Sequence, residues 1–294
     1  MKVIPISPRG FCPGVVRAID IIERVLADPT YPRPIQILGM IVHNRHVVDR
    51  LTRMGAVTLF DSGKTRLELL EGLTHGTVVI TAHGAQPAVF ELAREKGLTT
   101  VDATCTDVYR THDLIRARLE AGYQVVFVGK SAHPESEAVL GLGPEVTLIE
   151  TEADARGLTL PEKPVFATNQ TTLSIRDTDS IFSILKTRFP EIIIHDEICN
   201  STRIRQEAII ETNSREAVDL CYIVGDRHSN NTLNLVRISE RETGIRTLLI
   251  ESLADLDKRD LLGVKTISVS SGASTPTEVT KAVIDFLRNR SETD

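Results

Sequence analysis

The sequence predicts an α/β protein that consists of three similar units with mostly parallel sheets. Two observations lead to this fold class: three cysteines recur at nearly equal spacing, and short apolar runs recur between them in the same order. Strand-like runs that alternate with helical patterns are typical of βαβ crossovers. The chain length of 294 residues by itself suggests about two domains. We give the repeat more weight, because one supersecondary unit used three times explains the whole pattern.

The first element of each unit is a β-rich run that ends just before a cysteine. These runs cover residues 3–6, 99–102 and 192–194, and they precede Cys12, Cys105 and Cys199. A helical pattern follows each cysteine, with apolar residues spaced to lie on one face. The stripes are Val15, Ile19, Ile22 and Leu26 in the first helix, Val108, Ile115 and Leu119 in the second, and a weaker one through Ile204 and Ala208 in the third.

Three further runs recur in each unit and predict its remaining strands. The second run ends in Gly39, Gly129 or Gly225, and four residues later stand His43, His133 and Ser229. The third run covers residues 56–60, 145–149 and 247–250, and the fourth covers 78–81, 164–167 and 266–269. The fourth run leads into polar loops at His83-Gly84, residues 169–172 and residues 271–274.

The repeat predicts domain boundaries as well. We expect units at residues 14–104, 105–197 and 198–287, followed by a polar tail at 288–294. The N-terminal strand, within residues 1–13, is expected to pack near the centre or with the third unit.

Composition narrows the class of protein. The net charge is −6 and there is no Trp, so neither a basic duplex-binding surface nor an aromatic platform for single strands is expected. No apolar run approaches the length of a membrane span. The N-terminus shows no signal or transit pattern, which favours the cytoplasm. In that reducing compartment, spaced cysteines indicate metal ligands, catalytic thiols or core residues rather than disulfides.

The repeat places the polar residues at the carboxyl ends of strands, where open α/β sheets bind ligands. If the three units face inward, Cys12, Cys105 and Cys199 meet, and a cationic centre would relieve the repulsion between their thiolates. Thiolates select zinc, copper(I) or iron–sulfur clusters. The absence of Cys-x2-Cys pairs speaks against a zinc finger, and ligands so far apart in sequence favour a cluster. Cys221 has no counterpart and is expected to be an ordinary core residue.

The remaining strand-end side chains predict an anion site. Hydroxyls, amides and imidazoles that open onto helix N-termini favour a phosphate group. The residues concerned are His43, His83, His133, Thr171, Ser229, Asn231 and Ser274. There is neither a Walker loop nor a Gly-x-Gly-x-x-Gly motif, so electrons would come from an external donor. The other histidines, His46, His75, His112, His195 and His228, are expected to be structural.

Taken together, these motifs resemble the 4-hydroxy-3-methylbut-2-enyl diphosphate reductase family (IspH, also called LytB). The resemblance covers nearly the whole chain. It rests on Pro8-Arg-Gly-Phe-Cys-Pro-Gly14, Val42-His-Asn-Arg45, Ala82-His-Gly84, Asp102-Ala-Thr-Cys105, His133-Pro-Glu135, Asn169-Gln-Thr-Thr172, Glu197-Ile-Cys199 and Ser271-Gly-Ala-Ser274. The third phosphate loop reads Ser229-Asn-Asn231, where the family usually has Ser-Ser-Asn.

The resemblance implies three pseudo-threefold α/β units around a central [4Fe–4S] cluster held by Cys12, Cys105 and Cys199. It implies that the protein is an oxidoreductase that performs the last step of the methylerythritol phosphate route to isoprenoid precursors. The small allylic diphosphate would bind to His43, His83, His133, Ser229, Asn231 and Ser274, with Asn230 as a further hydrogen-bond donor. Glu135 and Thr171 would handle the substrate hydroxyl and its protons, with Glu135 as the acid. A ferredoxin- or flavodoxin-type protein would supply the electrons.

Three other functions stay open on sequence grounds. A zinc enzyme could use the same three cysteines, although the deaminase signature is absent. A non-catalytic iron–sulfur sensor could bind a phosphorylated ligand. A relative of the family could act on another allylic diphosphate.

Overall fold

The computed structural model describes residues 1–42, 44–131 and 133–291. It is an α/β protein with three four-stranded sheets. Every strand pairing among the described residues is parallel, which confirms the predicted fold class. The chain divides into two compact units. The one-sheet unit comprises Met1–Pro13, residues 44–47 and the chain from Cys199 onward, and the two-sheet unit comprises Gly14–Val42 and Val48–Ile198.

The strands follow the four predicted runs closely. In chain order they are β1 (Lys2–Pro5), β2 (Ile35–Leu38), β3 (Ala56–Leu59), β4 (Thr77–Ile80), β5 (Thr99–Asp102), β6 (Gln124–Val128), β7 (Val146–Ile149), β8 (Val165–Asn169), β9 (Ile193–Ile194), β10 (Leu220–Val224), β11 (Thr247–Ile250) and β12 (Thr266–Ser271).

The helices are α1 (Pro13–Ala27), α2 (Arg45–Arg53), α3 (Arg66–Glu71), α4 (Pro87–Glu95), α5 (Thr106–Glu120), α6 (Pro134–Leu140), α7 (Glu152–Gly157), α8 (Ile175–Arg188), α9 (Asn200–Arg215), α10 (Asn230–Thr243) and α11 (Thr277–Ser291). Two short 3-10 helices cover Leu253–Asp255 and Lys258–Leu261. The helix α11 continues to Ser291, beyond position 288, where the sequence suggested a tail.

The three sheets repeat one strand order. The orders are β3-β2-β4-β5 and β7-β6-β8-β9 in the two-sheet unit, and β11-β10-β12-β1 in the one-sheet unit. In each sheet the last strand is the one that leads into a cysteine. The N-terminal β1 therefore pairs with β12, with Lys2 opposite Thr266 and Pro5 opposite Val269. The domain boundaries stay a prediction, because contacts divide the chain into two units rather than three.

The central strands are buried on both faces, as the Val- and Ile-rich runs require of a parallel sheet. All five residues of β10 are buried. Since successive side chains point to opposite faces, Tyr222 and Val224 pack into one apolar cluster and Cys221 and Ile223 into another. Cys221 is thus a core residue, and burial raises the pKa of its thiol.

A capping box follows the third strand of each repeat. The pairs are Thr65 with Glu68, Thr151 with Asp154, and Ser252 with Asp255. In each, the side chain of the first residue accepts a hydrogen bond from a backbone N–H of the first turn, and the acidic side chain accepts one from the backbone N–H of the cap residue. The position after the cap differs between repeats: it is Arg66, Glu152 or Leu253.

Candidate functional site

The three repeated cysteines lie where helices begin. Cys105 and Cys199 are the N-cap residues of α5 and α9, and Cys12 directly precedes α1. All three thiols are half-buried, and none is in a disulfide. Helix N-termini favour nearby negative charge, and the thiolate is the form of cysteine that binds metals. The structure therefore presents each of these cysteines in a setting that suits a ligand.

A continuous hydrogen-bond network joins two of the cysteines within the one-sheet unit. The backbone N–H of Cys12 donates to the Ala273 carbonyl at 3.0 Å. The Ala273 N–H donates to Asn231 Oδ1 at 2.9 Å, and Asn231 Nδ2 donates to Thr202 Oγ1 at 3.5 Å. The Cys199 thiol and the Thr202 hydroxyl are 3.2 Å apart. Asn231, a predicted anion ligand, thus lies in the middle of the network.

A buried arginine accompanies the same two cysteines. Arg205 donates from Nη2 to the Gly10 carbonyl at 2.9 Å and from Nη1 to the Ser201 carbonyl at 2.8 Å. Burial lowers the pKa of Arg205, and negative charge on Cys12 and Cys199 opposes that shift. A guanidinium beside two thiols compensates negative charge, so the surroundings of Cys12 and Cys199 fit an anionic, thiolate-ligated group.

The start of α10 supplies the anion-binding side chains of the one-sheet unit. Ser229 is the N-cap and accepts from the Thr232 N–H at 3.3 Å. Asn230 Nδ2 is buried and has no hydrogen-bond partner among the described residues. Asn231 and Ser274 are both buried. A buried amide donor without an acceptor, at the N-terminus of a 14-residue helix, fits a phosphate oxygen.

Two of the predicted histidines come together in the two-sheet unit. The His83 and His133 rings are edge-to-face with their centroids 5.2 Å apart. His133 is the N-cap of α6, and its Nδ1 accepts from the Glu135 N–H at 3.2 Å. A neutral His133 therefore carries its proton on Nε2. His43 lies outside the described residues.

Glu135 and Thr171 form a buried pair in the two-sheet unit. The Thr171 N–H donates to Glu135 Oε1 at 2.8 Å, and its hydroxyl donates to Oε2 at 3.0 Å. Burial raises the pKa of Glu135 to about 7; the two bonds from Thr171 oppose the shift, and the charges of Asp107 and Glu197 add to it. Because desolvation dominates, Glu135 keeps a proton close to neutral pH. The pair can deliver that proton, as a general acid requires.

Glu197 is a second buried carboxylate, for which no role was predicted. It accepts from Arg110 Nε at 2.9 Å and from Thr111 Oγ1 at 3.2 Å, and its oxygen lies 2.8 Å from His195 Nδ1. The Glu197 N–H also donates to Asn169 Oδ1 at 3.0 Å. These bonds join the segment before Cys199 to the end of β8, close to Thr171. His195 is therefore a neighbour of a buried carboxylate, and its structural role stays a prediction.

Sequence reasoning missed the buried arginines of the site. Arg66 and Arg205 are only 4% and 3% exposed, and both donate to backbone carbonyls of site loops. Neither lies at a strand end, which was the position used to select candidates. The sequence signal that could have found them is an arginine on a helix face whose other residues are apolar or uncharged. Such an arginine points to a specific role, because buried arginines are rare unless they are paired.

The described residues contain neither a ligand group for a single metal ion nor a membrane-spanning helix. Within residues 1–42, 44–131 and 133–291, no three His, Cys, Asp or Glu side chains are close enough to hold a single metal ion. A cluster sets a different requirement, because each cysteine binds its own iron. None of the helices described here is both long and apolar enough to cross a membrane.

Known proteins resemble this chain over nearly its full length. A family model for LytB protein matches residues 3–288. The 4-hydroxy-3-methylbut-2-enyl diphosphate reductase of Anoxybacillus flavithermus is 48% identical over 288 residues, which is 98% of this chain and 90% of the relative. The reductase of the same name from Bacillus subtilis is 46% identical with the same coverage.

Solved structures give the same answer. The E-1-hydroxy-2-methyl-but-2-enyl-4-diphosphate reductase of Plasmodium falciparum superposes with a TM-score of 0.89 and 32% identity, over 98% of this chain and 88% of that one. A solved (E)-4-hydroxy-3-methyl-but-2-enyl diphosphate reductase, described as the terminal enzyme of the non-mevalonate pathway, has a TM-score of 0.68 and 30% identity, over 98% and 100%. The family model and the relatives together show that this chain belongs to the LytB protein family.

Proposed function

We propose that this protein is a 4-hydroxy-3-methylbut-2-enyl diphosphate reductase. It would convert its substrate to isopentenyl and dimethylallyl diphosphate, the last step of the methylerythritol phosphate pathway. Relatives that are 46–48% identical over 98% of the chain carry this name. Within the structure, the observation that carries the proposal is the buried Glu135–Thr171 pair, since a proton held close to neutral pH is what loss of a hydroxyl requires.

Cys12, Cys105 and Cys199 are the proposed ligands of a [4Fe–4S] cluster. The donor set fits, because three half-buried thiols at helix starts, two of them close to the buried Arg205, favour a thiolate-bound group. When bound, the cluster would supply electrons and, with three protein ligands, one iron able to act as a Lewis acid. The electron donor would be a ferredoxin- or flavodoxin-type protein, and the cytoplasm is the expected compartment because thiols stay reduced there.

The diphosphate is proposed to bind through side-chain hydrogen-bond donors. His83 and His133 offer imidazole N–H groups, and Ser229, Asn230, Asn231 and Ser274 offer hydroxyls and amides. The family resemblance adds His43. Asn230 Nδ2, which is buried without an acceptor among the described residues, would gain one from a phosphate oxygen. Asn230 is therefore compatible with diphosphate binding although it replaces a common serine.

Glu135 is the proposed acid for the leaving hydroxyl. The allylic C–O bond breaks, Glu135 transfers its proton to the departing oxygen, and the oxygen leaves as water. Two electrons from the external donor and a second proton, added at carbon, complete the balance. Thr171 hydrogen-bonds to both carboxyl oxygens of Glu135 and so fixes the orientation of the carboxyl group that carries the proton. After transfer, the buried Glu135 carboxylate is disfavoured by desolvation, which promotes its reprotonation from solvent.

The test is anaerobic purification, iron and acid-labile sulfide counting, and turnover with a chemically reduced donor. Four irons and four sulfides per chain, with loss of both in Cys105→Ser, are expected. Turnover of the C5 allylic diphosphate should exceed turnover of longer allylic diphosphates. Zinc without sulfide would contradict the cluster, and a cluster without turnover of any allylic diphosphate would indicate a sensor instead. Preference for a longer substrate would indicate a relative with another specificity.

A further inference from the structure

Arg66 is a deeply buried cation of the two-sheet unit. Its side chain contacts two loops that carry predicted site residues. It is the first residue of α3, just after the Thr65 cap, and only 4% of it is exposed. Arginine is almost never buried to this degree unless its charge is used. Neither the fold repeat nor the proton chemistry of Glu135 explains why a guanidinium stands there, since the equivalent positions hold Glu152 and Leu253.

One nitrogen of Arg66 bridges two loops from different sheets. Nη1 donates to the Gly84 carbonyl at 2.8 Å and to the Pro134 carbonyl at 3.0 Å. Nη2 donates to Thr81 Oγ1 at 3.0 Å. The Gly84 loop follows β4, and the Pro134 loop follows β6. The planar, fixed fork of a guanidinium can hold several acceptors at once, which a lysine cannot do with the same geometry.

Each bridged loop carries one of the two paired histidines. Gly84 follows His83, Pro134 follows His133, and the two imidazole centroids are 5.2 Å apart. Arg66 therefore hydrogen-bonds to the backbone carbonyl of the residue that follows each histidine. A change in the separation of these loops would change the separation of the two imidazole rings.

The guanidinium of Arg66 is held by neutral acceptors. They are two backbone carbonyls and a hydroxyl. Glu137 is an acidic partner: its Oε1 accepts from the Arg66 backbone N–H at 2.9 Å, and its charge opposes the effect of burial on the Arg66 pKa. At neutral pH Arg66 remains a cation, and its hydrogen bonds end on the loops that carry His83 and His133.

A third strand-end loop lies beside this side chain. Gly39, at the end of the β2 run, has φ +92°, and a Cβ built on it would lie 3.5 Å from Arg66 Nε. Glycine is the residue that tolerates this φ at no steric cost. Three strand-end loops, after β2, β4 and β6, thus pack around one guanidinium.

We propose that Arg66 is a positioning residue for a diphosphate: its guanidinium fixes the His83 loop against the His133 loop, so that both imidazoles meet the same diphosphate group. This assignment deepens the proposed function and rests on it for the identity of the substrate. The ligand that this assignment requires is a phosphate-bearing dianion that can contact two imidazoles at once.

The test compares Arg66→Gln and Arg66→Lys with the wild-type holoenzyme, using inorganic pyrophosphate as the probe in anaerobic calorimetry and the allylic diphosphate in turnover assays. Arg66→Gln should raise the pyrophosphate Kd and the substrate KM by roughly tenfold or more, because a charge and a bridging donor are lost. The kcat should change by a smaller factor than KM, since the Glu135 carboxyl keeps both hydrogen bonds from Thr171. Arg66→Lys keeps the charge and should recover part of the affinity.

A matched control is Arg118→Gln. Arg118 is half-buried and stacks on Tyr123 and Phe166, with its Cζ 5.5 and 5.1 Å from the ring centroids, so its loss should lower Tm without moving Kd or KM. If Arg66→Gln behaves in the same way, Arg66 is merely structural and the inference is overturned. If Arg66→Gln does not fold, Thr81→Val removes one acceptor of the guanidinium and should raise Kd in the same direction by a smaller factor.

A double-mutant cycle shows whether Arg66 acts through the histidines. Adding Arg66→Gln to His83→Ala should cost much less affinity than Arg66→Gln costs alone, and additive effects would contradict the inference. Wild-type protein that binds pyrophosphate but does not reduce the allylic diphosphate would sink the proposed reaction and leave Arg66 testable through Kd. Wild-type protein that binds neither compound would overturn both.

Discussion

The turns around Glu135 and Asn231 are the same structure with different chemistry. Each residue is the second of its helix, seven positions after the last residue of a central strand, β6 or β10. Thr171 N–H donates to Glu135 Oε1 at 2.8 Å, and Ala273 N–H donates to Asn231 Oδ1 at 2.9 Å. The backbone frame supplies an identical donor in both places.

The difference between the two turns lies in what the side chain can do with a proton. At Glu135 the frame holds a carboxyl whose pKa burial raises to about 7, so the group can titrate. At Asn231 the frame holds an amide, which stays neutral and offers Nδ2 to Thr202. A repeated fold thus provides one geometry, and the substitution of one functional group separates a proton donor from an anion ligand.

The largest expected effect comes from replacing the carboxyl group of the Glu135 turn with an amide, the group that the Asn231 turn carries. Glu135→Gln keeps an acceptor for the Thr171 N–H but removes the proton, so turnover should fall by roughly 10² to 10⁴. Anaerobic steady-state reduction measures the loss. Iron content and far-UV circular dichroism should match the wild type, and turnover within threefold of wild type would refute the acid role.

The reciprocal change tests the second turn. Asn231→Asp places a buried carboxylate where a diphosphate is proposed to bind, so KM should rise by roughly 10- to 100-fold. The effect should shrink as pH falls and the new carboxylate takes up a proton. Pyrophosphate titrations at pH 5.5 and 8 measure this. An unchanged Kd at pH 8 would remove Asn231 from the anion site.

The same Glu135→Gln variant should alter stability with a defined sign. Because the folded pKa of Glu135 lies above its ordinary value of 4.5, the native state binds more protons than the unfolded chain between pH 4.5 and 7. Wild-type stability is therefore lost as pH rises through that window. The free energy of unfolding of Glu135→Gln, measured relative to that of the wild type, should therefore increase by up to about 3 kcal/mol between pH 4.5 and 8. Urea unfolding at several pH values checks it, and a gain that decreases with pH would contradict the assignment.

The smallest expected effect concerns Glu197. Its negative charge adds to the upward shift of the Glu135 pKa, so Glu197→Gln should move the alkaline limb of activity to lower pH by less than about one unit. Asp107→Asn is a parallel test: the charge of Asp107 also raises the pKa of Glu135, so this variant should move the limb in the same direction. A limb that moves upward in both variants would show that the electrostatic coupling has the wrong sign.

Much of this fold could be predicted from sequence because its repeat is written in apolar periodicity. Residues 35–38, 99–102 and 247–250 became strands with the predicted bounds, and the face of α1 that contains Ile19 and Ile22 is buried. The strand ends also indicated where Glu135 and Thr171 would lie. Their pairing could not be read from sequence, because it depends on a backbone N–H and on burial.

Other features of the site were beyond reach for a different reason. Arg66, Arg205 and Glu197 make contacts with residues far away in sequence; Gly84 is 18 positions from Arg66, and Gly10 is 195 positions from Arg205. The pattern of a helix face can suggest burial, but it does not show which distant loops will accept the hydrogen bonds of a charged side chain on that face. The equivalence of Glu135 and Asn231 was within reach, because each stands six residues after an aligned glycine, Gly129 or Gly225, and the strand registers Val128–Asn169 and Val224–Ser271 agree with it.

The pH dependence of kcat in the wild type and in Glu135→Gln tests the central claim, that a buried protonated Glu135 delivers the proton to the leaving hydroxyl. Wild-type kcat should be level below neutrality and fall about tenfold per pH unit above a midpoint near 7, since only the protonated form is active. The residual rate of the variant should lack that midpoint. A wild-type profile that is flat from pH 6 to 9, or a variant that keeps the same midpoint, would contradict the account.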